Sequence, residues 1–274
     1  MYHKNQMSEA HAVRWTVIIA AYFTILALLY GLYIPTFEAP DASSHFKYMH
    51  QIAETGELPI IGEDRSEAHQ PPLYYLMAQP LMWFTTRSDL GDFTRFNRLA
   101  ALGTISESNN NVRLHNLEYK GDTIIAIWAV RLYSIALSVA TLFFIYHSAR
   151  LALGSQRSAL TSMLIITSMP TFIFISGSPN NDNLAALAGA MAIYWMLRVW
   201  MRRQITGRDL ILLAVITPVT MLAKLNAVPL LGFIGLGLIA GSIRRRWGWR
   251  DALLAMGTAG ASGLLLGGWW YVRN

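Results

Sequence analysis

Seven apolar runs divide this chain, and the first, residues 15–34, is twenty residues long without a charge. A helix of that length crosses the ~30 Å hydrocarbon core of a bilayer. Lipid offers no partner for free amides and carbonyls, so a run of this kind must close its hydrogen bonds internally, as a helix. Further runs fall at about 123–149, 158–177, 183–200, 210–223, 225–243 and 252–272, the second interrupted only by Arg131. The expected fold is therefore all-α, a polytopic transmembrane bundle of about seven spans forming one domain over 1–274. Gly237/Gly241 and Gly263/Gly267 repeat a small residue at a spacing that lets helices approach closely.

Composition agrees with a membrane protein. The chain is 54% hydrophobic and 14% charged, too apolar for a soluble domain of 274 residues. It has no cysteine, which excludes disulfides, thiolate metal sites and thiol nucleophiles. The first run is long and lacks a small-residue cleavage site, so it reads as a span and not as a signal peptide.

The net charge of +6 does not point to nucleic acid, because the basic residues sit between apolar runs. The turns after the second, fourth and sixth runs carry Arg150 and Arg157, then Arg198, Arg202, Arg203 and Arg208, then Arg244, Arg245, Arg246 and Arg250. With Lys4 and Arg14 these lie on one side of a seven-span chain, and positive-inside logic makes that side cytoplasmic. The opposite, external side receives the 35–122 segment, which holds most of the acidic residues. So long a loop is usually functional or disordered. Residues 71–85 are apolar and aromatic enough to lie along the membrane surface, whereas SESNNN at 106–111 reads as mobile.

The external segment also holds the candidate chemistry. Residues 41–55 place His45, Tyr48, Met49 and Ile52 on one helical face, with Asp41 or Ser43 as cap and Gly56 as terminator. Pro71-Pro72 opens a second helix, since early helical positions need no amide partner. Asp41, His45, Glu67, His69 and Gln70 thus flank two short helices beside a membrane. Asp182, in the SPNNDN turn, Lys224, at an apolar junction, and Arg273, at the last span's end, face the same side. Ionisable residues at membrane depth are costly and suggest function, although Lys224 can also be read as snorkelling and Arg131 as pairing with a loop acid. His50, His115 and His147 are isolated and read as structural. An external carboxylate, a second one from another turn and cations at the bilayer surface suit transfer from a lipid-phosphate donor. The carboxylate takes the acceptor's proton, and the cations, or a metal held by the acids and His69, offset charge on the departing phosphate.

Asp41 just past the first span, the helix ending in TGELP, and HQPPLYY resemble the first external loop of GT-C glycosyltransferases. The likeness is to the branch of protein mannosyltransferases and aminoarabinose transferases that use polyprenyl-phosphate sugars. RLYSIALSVAT, SPNNDNLAAL, AKLN and GWWYVRN follow in the same order. The resemblance implies that Asp41 and Asp182 are catalytic, Asp41 as the base, and that Lys224 holds the donor phosphate. His45, Gln70, Tyr74 and Arg273 are expected to line the substrates with it, and Asp41, His69 and Asp182 to hold any divalent cation, Mg²⁺ or Mn²⁺. Two departures stand out: Asp41-Ala42 lacks a second adjacent carboxylate, and His69-Gln70 lacks a phosphate-binding lysine. Family members are usually longer, so the chain is expected to be an N-terminal fragment or a short member.

The resulting expectation is an integral protein of a bacterial or archaeal cytoplasmic membrane. It would move a sugar from a polyprenyl-phosphate donor to a lipid, glycan or protein acceptor on the external face, with inversion at C1. Its other partners are membrane lipids and not nucleic acid. The alternatives are a transporter or binding protein for polyisoprenoid or amphipathic solutes, and a non-catalytic partner relative. A transporter would show internal repeats and mid-bilayer charges in broken helices, neither of which the sequence displays.

Overall fold

The structure, a computed structural model, describes residues 7–62, 67–100, 111–115 and 121–274; most of the 106–111 segment lies outside them. α1 (Glu9–Tyr33) leads into the loop helices α2 (Ala42–Thr55), α3 (Leu73–Met82) and α4 (Leu90–Phe93). The bundle continues with α5 (Thr123–Leu153), α6 (Gln156–Thr167), α7 (Pro170–Ser176), α8 (Asp182–Arg202) and α9 (Gly207–Ala223). It closes with α10 (Pro229–Ile243), α11 (Trp249–Ser262) and α12 (Gly268–Arg273). No strand occurs among the described residues, only an isolated Phe96–Arg113 bridge. The expected all-α architecture holds.

Among the described residues, five helices are long and apolar enough to cross a membrane, and six if α6 and α7 count as one span. The run expected at 158–177 is bent by 68° between those two helices. Pro170 accounts for the bend: the residue before proline is steered out of the α region, and Met169 is extended at φ −79°, ψ 114°. α9, at the run expected over 210–223, has 17 residues, about 25 Å of helix, and is not among those candidates. The last span expected, 252–272, is α11, a π-helical turn over Gly263–Gly267 and α12 in sequence.

α5 and α8 pack along each other at the centre, with α1, α6 and α7 on one side and α9, α10 and α11 on the other. The small residues work mainly as expected. A Cβ at Gly237 would meet Met196 of α8, and one at Gly263 or Gly267 would meet Met221 of α9. Gly241 instead leaves room for the Trp247 ring. Gly177, just past α7, lies so close to α1 that a Cβ would stand 2.9 Å from the Ala27 carbonyl oxygen.

Arg131 pairs with no loop acid among the described residues. It is buried in α5 and donates to the carbonyls of Gly31 (2.5 Å) and Ile34 (3.4 Å), with its guanidinium 5.0 Å from the Trp128 ring centre. The final carbonyls of a helix have no intrahelical partner and carry the negative end of its dipole. Arg131 therefore caps α1 from inside the bundle and fixes where the chain leaves it toward α2. Arg131→Met keeps most of the stem and removes the donors. We expect a loss of about 1.5–3 kcal/mol, the range for hydrogen bonds to a charged group. Denaturant melts of the detergent-solubilised protein would read it.

Candidate active site

Three polar elements meet at the end of the bundle where α1 and α7 finish and α8 begins. The first is α2. Its helix ends where the sequence indicates, at Gly56 in the left-handed region (φ 73°). Its start is less ordinary. Asp41 occupies the N-cap position with φ 58°, and its carboxylate makes no capping bond. The left-handed region is uncommon for a side-chain-bearing residue, although aspartate tolerates it better than most. The carboxylate is left exposed and without a hydrogen bond among the described residues.

His45, one turn on, is buried, and its Nδ1 lies 2.8 Å from the Tyr75 hydroxyl of α3. The Tyr75 ring stacks on Tyr48 at 3.8 Å and 9°. Burial, helped by the charges of Lys224 and His69, pushes the His45 pKa down to about 3. His45 is thus a neutral wall of the site.

The second element is the approach to α3. The Gln70 amide donates to the Glu67 carbonyl, making a turn that brings Glu67 within 3.4 Å of His69 Nε2. Burial pushes the Glu67 carboxyl above its ordinary range; His69 and Lys224 oppose that shift, and the negative charge of Asp41 adds to it. Asp41, Glu67, His69 and Lys224 therefore share one electrostatic neighbourhood.

The third element is the SPNND turn ahead of α8. The Asn180 amide donates to the Tyr74 hydroxyl at 3.0 Å, and that hydroxyl also bonds Ser134 of α5 at 2.8 Å. Asn181 is buried, and its Nδ2 donates to Gln70 Oε1 (3.3 Å) and to the Ala223 carbonyl (3.2 Å) at the end of α9. Next in the chain, Asp182 accepts from Lys224 Nζ at 2.7 Å. Lys224 is 15% exposed and Asp182 45%. The pair sits at the rim of the site, with the lysine as the more enclosed partner.

Asp41, His45, Gln70, Tyr74, Asp182 and Lys224 are joined by contacts or by mutual charge. Tyr74 contributes its hydroxyl to the scaffold. Arg273 donates to the carbonyls of Pro59 (3.3 Å) and Leu58 (3.0 Å), holding α12 to the loop after α2. No group of three His, Asp or Glu among the described residues is arranged to hold a metal ion, and Asp41, His69 and Asp182 form no such group.

Sequence reasoning undervalued three features. Tyr75 and the amides Asn180 and Asn181 lay inside quoted motifs, and the signal was two consecutive carboxamides in a short turn between apolar runs. Glu38 had no visible signal. Its carboxylate accepts from the amides of Val112 and Arg113 and from His115 Nε2, each at 2.8 Å, while the Arg113 guanidinium reaches Ser43 of α2. His115 is thus not isolated. Nor is His50, whose Nδ1 accepts from Arg87 Nε at 3.2 Å.

Such a fold and site define an integral membrane protein with a polar site at one end of a helical bundle. The chain belongs to the dolichyl-phosphate-mannose-protein mannosyltransferase family, whose model matches residues 124–264, just over half of it. This makes it a member of a class of membrane glycosyltransferases that use a polyprenyl-phosphate-linked sugar. The match includes Asp182 and Lys224 and stops short of Arg273; Asp41, His45, His69, Gln70 and Tyr74 precede it. No curated protein and no solved structure matches the chain.

The pKa of His45 gives this wall a pH signature. The folded protein keeps the ring neutral down to about pH 3, whereas an unfolded chain binds a proton below 6.5. Its contribution to stability is full above pH 6.5 and is lost as the pH falls toward 3. His45→Phe keeps the stacked ring and removes the titration. Between pH 7 and 5 the melting temperature of this variant should fall less steeply than that of the wild type. Parallel slopes would contradict a neutral buried His45.

Proposed function

We propose that the protein transfers a sugar from a polyprenyl-phosphate donor to an acceptor hydroxyl or amine on the external face of the membrane, by one inverting displacement. The observation that carries this reading is the Asp182–Lys224 pair between the head of α8 and the end of α9, in the same electrostatic neighbourhood as the free Asp41 carboxylate. An apolar cleft of about 310 Å³ runs beneath it, between α9, α10 and α11. Thr217 and Met221, four residues apart on α9, line the cleft, and Lys224 follows three residues later. Lys224 would neutralise a donor phosphate while the first isoprene units occupy the cleft. Asp182 holds the ammonium in place when the donor is absent.

In the reaction, the acceptor oxygen or nitrogen attacks C1 of the sugar from the face opposite the phosphate. The C1–O bond to phosphate breaks, and the acceptor's proton passes to Asp41. The polyprenyl phosphate leaves with its extra negative charge beside Lys224. Exposure suits Asp41 to this role, because an acceptor can reach its carboxylate. The basic turns at the opposite end of the bundle support the external assignment. The acceptor would be a lipid, a glycan or a protein. The candidate catalytic charges gather at one end, and the sequence displays no internal repeat, which favours the enzyme over a transporter.

Donor binding and single-turnover transfer by the purified protein test the division of roles. Asp41→Asn should slow transfer at least ~100-fold, the scale of general-base catalysis, with donor affinity little changed. Lys224→Met should weaken donor binding by about 1.5–3 kcal/mol, as for a lost charge-assisted contact. Wild-type transfer by Asp41→Asn would remove the catalytic role and favour a non-catalytic partner.

The cleft can be tested without touching either residue. A Cβ at Gly260, which lines it, would meet nothing within 4 Å. Gly260→Leu should therefore fill the space without displacing a neighbour, raise the KM for long-chain donors and spare a short-chain analogue. Equal effects on both donors would show that the isoprenoid lies elsewhere.

A further inference from the structure

The opposite end of the bundle holds the second concentration of charge. α8 ends and α9 begins there, and so do α10 and α11, and the two turns carry eight arginines against Asp209 and Asp251. Asp209 is fully buried and already committed. It caps α9 through the Thr206 amide and hydroxyl, and it faces Arg198 and Arg202 at 3.6 Å each. Arg203, Arg208, Arg244, Arg245 and Arg250 are exposed and have no acidic partner within salt-bridge distance among the described residues.

These arginines sit on a built surface. Trp247 is buried against Gly241 and donates to the Leu238 carbonyl at 3.1 Å, folding the 244–247 turn back on α10. The Trp247 ring meets Trp200 of α8 edge-on at 5.8 Å, and Arg246 lies over Trp200 at 5.3 Å. This aromatic stack locks one basic turn to the other. Arg203 and Arg245 hold left-handed backbone, φ 56° and 52°, positions where glycine is the easier residue. Setting membrane topology needs only a sum of charge on one side. It does not need two turns clamped together, or arginine at two sites that favour glycine.

We propose that this clamped pair of turns is a binding site for the phosphate headgroup of an anionic phospholipid. The position argues for lipid over a soluble anion. The array crowns the ends of four membrane helices, and the exposed Trp249 beside it marks the depth at which tryptophan meets headgroups. Arginine forks match phosphate oxygens in pairs, so a fixed array can select a phosphate where scattered charges only attract it. This inference does not rest on the glycosyl-transfer reading.

Native mass spectrometry of the detergent-purified full chain, titrated with phosphatidylglycerol or phosphatidylcholine of equal chain length, provides the test. At 0.15 M salt, phosphatidylglycerol should bind on the order of tenfold more tightly, as expected for a few arginines beside one anionic headgroup. The double variant Arg244→Gln, Arg245→Gln should lose most of that preference. The control Arg150→Gln, Arg157→Gln removes equal charge from the same end and should keep it. No preference in the wild type, or equal losses in both doubles, would overturn the site. Arg244→Lys, Arg245→Lys keeps charge and foldability while removing the forks, and should show an intermediate loss. If it binds like the wild type, the effect is charge alone and the site does not exist.

Discussion

The Asn180-Asn181 turn is the joint on which the rest of the site depends. Three chain segments far apart in sequence meet there through carboxamide and hydroxyl hydrogen bonds: the approach to α3, the head of α8 and the end of α9. The Tyr74 hydroxyl serves α5 and the turn together, and Asn181 supplies a partner for one of the last carbonyls of α9. The Met221 carbonyl, two residues earlier, is satisfied by the Tyr271 hydroxyl at 2.7 Å. Helix ends inside a bundle must find such partners, because neither lipid nor packed side chains replace water. Meeting that requirement here also sets Asp182 beside Lys224.

Burial divides the ionisable groups by task. His45 is enclosed and neutral, a wall with a polar tip. Glu67 is half-buried and pushed toward its protonated form, while Asp41 stays open to water only a turn before His45. Lys224 is the enclosed cation, matched by one carboxylate. A site built this way keeps an enclosed cation and an open carboxylate side by side. At the other end the balance is reversed, with one buried carboxylate among many arginines, so the molecule is polarised along its helices.

Two arginines show how the same residue type serves different ends. Arg131, in the bundle, spends its donors on the carbonyls of α1 and adds no chemistry. Arg87, under the loop, does the same for Met82 and Thr85 while pairing with Glu54 at 2.6 Å. Both support the site by fixing the segments that bear it: α1's exit before Asp41, and the turn after α3.

The apolar runs by themselves determined the helical class and the ends of most helices, since a run that meets lipid has one way to satisfy its backbone. Gly56 and Pro71-Pro72 bounded α2 and α3 for equally local reasons, the left-handed cap and prolines placed just ahead of the first helical residue, Leu73. Asp41, Asp182 and Lys224 were legible as costly charges at the edges of runs. The sequence could not show that Asp182 and Lys224 pair, that Arg131 caps α1, or that Glu38 holds the 111–115 segment. It also read Asp41 as a helix cap, whereas left-handed backbone frees its carboxylate. These features join residues up to a hundred positions apart, and only packing brings them within hydrogen-bond reach. Local pattern records what a residue must avoid; its partner is chosen by the tertiary structure, where directional bonds need a few tenths of an ångström that no spacing rule encodes.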